Sequence, residues 1–194
     1  LGVNSRVELS KAQAIMQQRI NEKLMRSGIT MVDPKTVFVS FDARIGEDTI
    51  IYPFTVIEKN VRIGSHCVIG PFIRLRQGTI LKDKVTAGNF LEISRSVVGC
   101  NTHVKHFGFI GDSRIGDSVN IGAGTVTANY DGKNKNITLI RDRAFIGCDT
   151  VLIAPVSVGK AAKTGAGSVV TRNTVIQNGK TVAGVPARPL EKKK

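Results

Sequence analysis

The stretch IGEDTIIYPFTVIEKNVRIGSHCVIGPFIRL, residues 45–75, repeats one pattern every six residues. The aliphatic residues that open its units are Ile45, Ile51, Ile57, Ile63 and Ile69. The residue four places later is usually small or β-branched, and Gly often follows the aliphatic directly. An α-helix repeats apolar residues with a period near 3.6 and a half-buried strand with a period of 2, so neither element explains the pattern. A solenoid of short strands, in which every sixth side chain points inward, does explain it.

The six-residue spacing continues almost to the end of the chain. It runs on through Leu75, Leu81, Ala87, Ile93, Val98, Val104, Ile110, Ile115, Ile121, Ile140, Ile146, Leu152, Val158, Thr164, Val170, Ile176 and Val182. The register slips by one residue before Val98 and before Ile115. We therefore predict an all-β fold, a left-handed parallel β-helix with about 18 residues per coil and roughly seven coils after residue 45.

Two segments depart from this period. The spacing from Ile121 to Ile140 is not a multiple of six, so residues near 128–137 must leave the coil as an extended loop. Residues 10–27, SKAQAIMQQRINEKLMRS, carry apolar residues at spacings of three and four, which predicts one amphipathic α-helix with Ser10 as its N-cap. The predicted organisation is a linker with this helix (1–36), a β-helix domain (37–188) and a basic tail (189–194).

The composition excludes several classes of protein. The chain has 194 residues, of which 41% are hydrophobic but only 5% aromatic, so the core must be aliphatic. No apolar run reaches the roughly 18 residues of a membrane span, and no signal peptide opens the sequence. Cys67, Cys100 and Cys148 lie far apart without a CxxC motif, which favours reduced thiols in the cytoplasm over disulfides or a zinc site.

The net charge of +13 favours polyanionic partners such as nucleic acid, acidic lipid or a phosphorylated small molecule. The basic residues are interspersed with apolar ones, and the dense cluster is Lys192–Lys194. The alternating aromatic and basic residues that bind single-stranded nucleic acid are missing. We therefore expect no nucleic-acid partner, and a solubilising surface and a site for phosphorylated small molecules remain as interpretations of the charge.

His106 is the candidate catalytic residue. It stands two residues after the inward Val104 and shortly before the predicted loop, so its side chain should face outward. Loops that interrupt a regular scaffold often carry function. Imidazole has an unperturbed pKa of about 6.5 and can accept a proton near neutral pH. A surface histidine without a task is the alternative, and this is how we interpret His66 and His103, which we expect to be solvated.

Four segments carry a closer resemblance: RLRQGTIL (74–81), AGNFLEI (87–93), FIGDSRIGDSVNIGAGTVTANYDGKNK (109–135) and AFIGCDTVLIAPVSVGKAAKTGAGSVVT (144–171). Over nearly its whole length the chain resembles the acetyltransferase domain, with its linker helix, of the bacterial bifunctional UDP-N-acetylglucosamine pyrophosphorylase/glucosamine-1-phosphate N-acetyltransferase. This family belongs to the hexapeptide-repeat acyltransferase superfamily. The NIGAGT and NYDGKNK motifs are far more specific than the repeat, which many acyltransferases share.

The resemblance implies acetyl transfer from acetyl-CoA to the amine of glucosamine-1-phosphate, for the synthesis of UDP-N-acetylglucosamine, a cell-wall precursor. It also implies a homotrimer with active sites between subunits, no metal requirement for acetyl transfer, and a nucleotidyltransferase domain ahead of this segment in the fused enzyme. His106 matches the general base of the family. The positions that match the sugar-phosphate site are Arg76, Ser94, Arg95, Phe109, Asn120 and Lys135. The positions assigned to the acetyl-CoA site are Ala123, Asn129, Tyr130, Cys148, Ala166 and Arg188.

Three of these positions depart from the family pattern. Ser94 stands where the family has a lysine that contacts the sugar phosphate, Phe109 where it has a tyrosine, and Cys148 where it has a serine. Phenylalanine cannot donate a hydrogen bond, and a thiol is a weaker donor than a hydroxyl. Two alternatives therefore stay open: a hexapeptide acetyltransferase that acts on a different amino sugar or sugar nucleotide, and a non-catalytic trimeric scaffold.

Overall fold

The chain forms one α-helix followed by a left-handed parallel β-helix of about eight turns, in a computed structural model that describes residues 2–190. The predicted fold class is therefore confirmed. The Lys192–Lys194 cluster of the predicted basic tail lies outside the described residues. Among the residues that the structure describes, no helix is both long and apolar enough to cross a membrane.

Three sheets form the three faces of the solenoid, and all strand pairs are parallel except the last pair of the first face. The first face contains Thr30–Met31, Ile50–Ile51, Val68–Ile69, Thr86–Ala87, His103–Val104, Asn120–Ile121, Phe145–Ile146, Lys163–Thr164, Thr181–Ala183 and Arg188–Pro189. The second face contains Phe38–Val39, Thr55–Ile57, Ile73–Leu75, Leu91–Ser94, Gly108–Gly111, Val126–Ala128, Val151–Ile153 and Val169–Val170. The third face contains Arg44–Ile45, Arg62–Ile63, Ile80–Leu81, Val97–Val98, Ser113–Ile115, Thr138–Ile140, Val156–Val158 and Val175–Ile176.

The strand register explains both the period and its interruptions. Ile51 pairs with Ile69 and Ile69 with Ala87, so one coil usually takes 18 residues. The next two steps on the first face, from Ala87 to Val104 and on to Ile121, take 17 residues each and correspond to the two slips in the sequence. The step from Asn120 to Phe145 takes 25 residues, because the loop leaves the coil within it.

The inward aliphatic residues form one continuous core along the solenoid axis. Ile45, the first residue of the repeat, is only partly buried because it belongs to the first coil, beneath the helix. The small or β-branched residues of the repeat are buried as well, and they serve the backbone. Thr49, for example, is fully buried, donates its hydroxyl to the carbonyl of Gly64 at 2.9 Å and accepts the N–H of Cys67 at 3.1 Å. A hydroxyl at this position therefore satisfies backbone groups that a corner would leave unpaired.

Gly follows the inward aliphatic because successive coils approach closely at that corner. A Cβ atom on Gly64 would lie 2.7 Å from the backbone nitrogen of Asp83 in the next coil. Real Cβ atoms do not approach that closely, so a larger residue would force the coils apart. The glycine of the repeat is thus a consequence of coil spacing.

The helix spans Arg6–Arg26, and the prediction of Ser10 as its N-cap is wrong. Ser5 is the N-cap, and its hydroxyl accepts the N–H of Glu8 at 3.2 Å while Glu8 accepts the N–H of Asn4 at 2.7 Å. This capping arrangement starts the helix earlier than its apolar stripe does. At the other end, Asn21 is buried and donates to the carbonyls of Pro34 (2.8 Å) and Val37 (3.0 Å), which fixes the helix on the first coil.

The solenoid also begins earlier than the hexapeptide pattern. Thr30–Met31 already pairs with Ile50–Ile51, and the 3₁₀-helix Pro34–Thr36 leads into the second face, although we assigned these residues to the linker. Only a two-residue strand is involved, and no aliphatic–glycine unit marks it. Thr30 pairs with Ile50 across a step of 20 residues, two more than the usual 18, so this strand lies outside the six-residue register.

Ile63→Ala should lower the free energy of unfolding by about 2–5 kcal/mol, because the Ile63 side chain is buried in the core and its removal leaves a cavity. Arg62, its neighbour on the same strand, points outward and is exposed. Arg62→Ala should change the free energy by less than about 0.5 kcal/mol and is the matched control. Denaturant unfolding followed by circular dichroism measures both, and equal losses in the two variants would contradict the assignment of inward and outward positions.

Candidate active site

His106 lies at the corner between the first and second faces, and its side chain is exposed. The register places Ala123, Cys148 and Ala166 at the equivalent corner position of the next three coils. We call His106, Ala123, Cys148 and Ala166 the corner column. Adjacent strands lie about 4.8 Å apart, so the column extends over about 14 Å in a straight line. One line of the surface thus holds the predicted base and three positions assigned to acetyl-CoA.

In the coils that follow His106, no long side chain covers the corner column. Cys148 and Ala166 are exposed, Ala123 is half-buried, and none of the three has a long side chain. Gly124 and Gly167 follow two of these positions directly, both with a positive φ that glycine adopts without strain. An extended ligand could therefore lie close to the backbone along this line.

Arg188 lies at the far end of the corner column. It pairs with Ala183 in the antiparallel turn that closes the first face, and its side chain is exposed. Gly184, the next residue after Ala183, continues the line of the column in the register. The exposed guanidinium could pair with a phosphate group of a ligand that lies along the column.

A second cluster of the predicted residues lies at the corner between the second and third faces. Arg95 donates to both carboxylate oxygens of Asp112 at 2.7 and 2.8 Å and to the hydroxyl of Ser94 at 2.8 Å. Asn129 is 7% exposed and donates its side-chain amide to the same carboxylate. The guanidinium of Arg95 holds the pKa of Asp112 below its usual range, and the hydrogen bond from Asn129 lowers this pKa further. Two predicted residues, Arg95 and Asn129, therefore share one acidic partner, and Ser94 joins the cluster through Arg95.

The same cluster limits what Ser94 and Arg95 can offer to a substrate. Ser94 is fully buried, so its hydroxyl cannot reach a ligand without rearrangement. The Arg95 side chain is 36% exposed, but its nitrogens already donate to Asp112 and Ser94. Arg76, one coil earlier, forms an ion pair with Glu92 at 3.0 Å, and the two side chains are 41% and 33% exposed. The Arg76 side chain is thus more accessible than that of Arg95. The carboxylate of Glu92 would compete with a bound phosphate for the Arg76 guanidinium.

The loop between Ala128 and Thr138 is a small hairpin built around Asp131. The Asp131 carboxylate accepts the N–H groups of Lys133 (2.9 Å) and Asn134 (2.6 Å) and the side-chain amide of Asn136 (2.9 Å). These hydrogen bonds, and the charge of Arg172 at 3.6 Å, lower the pKa of Asp131 to about 2. One carboxylate therefore joins three residues of the loop, beside the backbone hydrogen bonds from Asp131 to Asn134 and from Asn136 to Asn129.

That hairpin positions the other two predicted loop residues. Tyr130 and Lys135 form an antiparallel bridge, and the Tyr130 hydroxyl donates to the carbonyl of Gly132 at 2.6 Å. Both side chains are exposed, on a loop that projects from the corner between the second and third faces. They are consequently available to a ligand or to another chain.

A single chain does not bring all the predicted residues to one place. Asn120 points outward from the first face and Phe109 from the second face, on either side of the corner that carries His106. Side chains on two faces of a convex corner diverge. Phe109 lies three residues, or about 10 Å of extended chain, from His106, and the cluster around Asp112 lies beyond the end of the strand Gly108–Gly111. The corner column and the Asp112 cluster are therefore separate on one chain.

His103 lies beside Asn120 on the first face, and our expectation that it is solvated is wrong. The side chain is half-buried between the outward residues of the neighbouring coils, and its Nδ1 is buried without a hydrogen-bond partner among the described residues. Burial, with a smaller contribution from the charge of Lys105, lowers the pKa of His103. His66, by contrast, has an exposed side chain 3.7 Å from Asp48.

Three acidic residues were missed by the sequence analysis: Glu92, Asp112 and Asp131. Each neutralises or positions a predicted residue. The spacing from Arg95 to Asp112 equals one shortened coil, so counting along the slipped register would have paired them. Within the described residues, no group of three or more His, Cys, Asp and Glu side chains is placed to hold a metal ion.

Comparison with known proteins adds evidence that is independent of this geometry. Residues 42–72 match the family model of the bacterial transferase hexapeptide (six repeats), and residues 138–172 match that of the hexapeptide repeat of succinyl-transferase. The bifunctional protein GlmU of Thermosipho africanus is 46% identical over 205 residues, covering 89% of this chain and 46% of that protein. GlmU of Heliobacterium modesticaldum is 44% identical over 206 residues, covering 89% and 45%. The solved UDP-N-acetylglucosamine acyltransferase of Francisella novicida is similar with a TM-score of 0.48 and 21% identity, covering 83% and 70%.

The chain is thus a protein of the hexapeptide-repeat transferase superfamily. Within this superfamily it belongs with the GlmU proteins, and the family resemblance inferred from the motifs is confirmed. The chain spans about half the length of the curated relatives it matches.

Asp131→Ala should loosen the loop, because the carboxylate accepts three of the hydrogen bonds that hold it. In the wild type the same effect should follow acidification. The folded-state pKa is about 2 and the ordinary value is 3.8, so the stabilisation is present above pH 3.8 and is lost as the pH falls towards 2. Hydrogen exchange at the amides of Lys133 and Asn134 measures the loss, with the strand amides of Val126 and Leu152 as internal controls. Unchanged protection in Asp131→Ala would contradict this assignment.

Proposed function

We propose that the chain transfers the acetyl group of acetyl-CoA to the amine of glucosamine-1-phosphate. The observation that carries this proposal is the corner column, in which His106 is aligned with the small side chains of Ala123, Cys148 and Ala166. The similarity to the GlmU proteins supports it. We further propose that the product enters UDP-N-acetylglucosamine synthesis and that the reaction occurs in the cytoplasm, a location supported by the three unpaired cysteines.

The residues of the corner column fit acetyl-CoA. Ala123 and Ala166 have no long side chain that would block an extended amide-containing chain, and Arg188 offers a cation at the far end. Acetyl-CoA supplies an acetyl group that is activated as a thioester. A coenzyme A chain that lies along the corner column and ends at His106 would place this thioester close to the imidazole. Cys148, within the corner column, offers a weak thiol donor.

His106 would act as the general base. The sugar amine is an ammonium ion near neutral pH and must lose a proton before its lone pair can attack the acetyl carbon. The imidazole accepts that proton, the new C–N bond forms, and the C–S bond breaks to release the thiol of coenzyme A. The exposed position of His106 leaves its ring accessible to an acceptor approaching from either side of the corner.

The acceptor site is proposed to lie between two subunits of a homotrimer. Asn120 and Phe109 diverge on one chain, so one sugar cannot contact both unless a second chain supplies one of them. The projecting loop with Tyr130 and Lys135 would also have a partner surface in such an arrangement. Loops that reach a neighbouring subunit commonly complete active sites on rigid scaffolds.

A different amino sugar or sugar nucleotide is the second candidate acceptor, and the Asp112 cluster favours testing it. Ser94 is buried and Arg95 is paired, so the cations left for a sugar phosphate are Arg76, beside Glu92, and Lys135 of the loop. Phe109 contributes an apolar edge without a hydrogen-bond donor. Both features should weaken the binding of a sugar phosphate relative to a site with a free lysine and a tyrosine.

His106→Ala should lower kcat by about 10²–10⁴-fold, the usual contribution of a general base. His66→Ala removes an exposed histidine from a different corner and is the matched control, with turnover expected to remain at the wild-type rate. Release of coenzyme A thiol in the presence of glucosamine-1-phosphate measures both variants. Near-normal turnover in a folded His106→Ala protein would rule out the catalytic role.

The acceptor is tested in the same assay with glucosamine-1-phosphate, glucosamine, glucosamine-6-phosphate and a UDP-linked amino sugar. We expect the highest kcat/KM with glucosamine-1-phosphate, and Arg76→Ala should raise its KM more than that of unphosphorylated glucosamine. A clear preference for another acceptor would support the second candidate. Turnover with none of them would favour the non-catalytic trimeric scaffold.

A further inference from the structure

Asp112 contacts both ends of the loop that leaves the solenoid. Its carboxylate accepts the side-chain amide of Asn129, the first residue after the strand Val126–Ala128. Its backbone carbonyl accepts the N–H of Thr138, the first residue of the strand Thr138–Ile140, at 3.2 Å. One residue of the preceding coil therefore binds the chain where it departs from the coil and where it returns.

The carboxylate of Asp112 is itself fixed, and both of its oxygens accept hydrogen bonds. Nε of Arg95 donates to Oδ1 at 2.7 Å and Nη2 donates to Oδ2 at 2.8 Å, and Oδ2 also accepts the amide of Asn129. The Asp112 side chain is only 15% exposed, so its largely buried charge depends on the ion pair. Arg95 is the main cause of the lowered pKa of Asp112, and the charge of Lys135 acts in the same direction. A carboxylate with engaged oxygens and a lowered pKa is poorly suited to accept a proton from a substrate, which leaves a positioning role.

Asn129 connects Asp112 to the base of the hairpin. The Asn129 carbonyl accepts the N–H of Asn136 at 2.7 Å, and the bridge between Tyr130 and Lys135 follows directly after this pair. Lys135 is therefore one residue away from the anchored pair, and a shift of Asn129 would move Lys135 with it. The position of the Lys135 ammonium relative to the coil thus depends on Asp112.

The Asn129 amide also lies close to the ring of Phe109. A Cβ atom on Gly111 would lie 2.7 Å from Nδ2 of Asn129 and 2.7 Å from Cζ of Phe109. The two side chains therefore meet above Gly111, where a larger residue would collide with both. Asn129 is thus bound to Asp112 and packed beside a residue that is assigned to the acceptor site.

We propose that Asp112 is a positioning residue for acetyl transfer: it fixes the base of the loop through Asn129 and thereby presents Lys135 to the phosphate of the acceptor. Arg95 is the fixed counter-ion of Asp112 and does not bind the acceptor itself. This inference rests on the proposed function and adds the side chains that hold the acceptor-binding loop in place.

Asp112→Asn distinguishes the two possible roles of Arg95, because it removes the charge of the side chain and keeps its size. If Asp112 positions the loop, the KM of glucosamine-1-phosphate should rise roughly tenfold, since the charge-assisted contact of Lys135 with the phosphate is weakened. The kcat should fall by less than about threefold, whereas a general loss of folded protein would lower kcat and leave KM unchanged. If Arg95 instead binds the phosphate, its release from the ion pair should lower KM. Thiol release from acetyl-CoA measures both constants, and a KM that falls or stays at the wild-type value would overturn the proposal.

Combined variants test whether these residues act as one unit. Arg95→Met should raise KM as much as Asp112→Asn does, and the double variant no more than either, because residues in one ion-pair network are coupled. In a chain that already carries Lys135→Ala, Asp112→Asn should raise KM no further, since the cation that it positions is missing. Additive effects of Asp112→Asn and Lys135→Ala would contradict the positioning role.

Asp142→Asn is the matched control. The Asp142 carboxylate also joins two coils, because it accepts the N–H of Asp117 at 3.0 Å, but it lies at a different corner, and KM should keep its wild-type value. Circular dichroism and thermal melting establish that each variant is folded. If Asp112→Asn does not fold, Arg95→Lys replaces it. Lysine keeps the charge but lacks the planar fork that binds both carboxylate oxygens, so a smaller rise in KM is expected, and an unchanged KM would overturn the proposal.

Hydrogen exchange tests the anchor independently of catalysis. In Asp112→Asn the amide of Asn136 should exchange faster because its acceptor, Asn129, is released, while the amides of Lys133 and Asn134 stay protected by Asp131. Unchanged protection at Asn136 would overturn the proposal even in an active enzyme. A wild type that transfers no acetyl group, together with faster exchange at Asn136 in the variant, would overturn the proposed function and support the anchor.

Discussion

The hydrogen bonds between successive coils are the interactions on which the rest of the structure depends. Each strand contributes only two to four residues, so no strand is stable alone, and stability comes from stacking each coil on the next. Stacking in turn requires identical geometry at every corner. This requirement selects the glycine after the inward aliphatic, the buried hydroxyl that serves the corner carbonyl, and the left-handed residue in between. The six-residue period in the sequence is a consequence of that corner geometry.

The parts of the structure that repeat could be predicted, and the parts that occur once could not. The inward positions from Ile51 to Val182 are buried as the period requires, because one rule applies to every coil. The start of the helix at Arg6 and the strand Thr30–Met31, which opens a longer coil of 20 residues, lie outside that rule. They depend on a single capping arrangement around Ser5 and on hydrogen bonds from Asn21, which have no periodic signature.

The candidate site shows the same division. The register alone places His106 outward and aligns it with Ala123, Cys148 and Ala166. The electrostatics of the site could not be read in this way. Arg95 and Asp112 occupy the two corners that are one residue short, and the sequence does not show whether a cation at such a corner faces solvent or the next coil. The structure shows that the two shortened corners are joined by an ion pair, which leaves Arg76 as the more accessible arginine of the two.

The turn at Arg188–Pro189 has a consequence for the molecule as a whole. A parallel solenoid could in principle lengthen without limit, because each terminal coil offers unpaired backbone groups to another strand. Here the helix Arg6–Arg26 lies over the first coil, and at the opposite end the chain folds back antiparallel onto Thr181–Ala183. The added strand is short, and Pro189 has no N–H to donate. The two ends are therefore finished differently, and both discourage the end-to-end growth into fibres to which open β-sheets are prone.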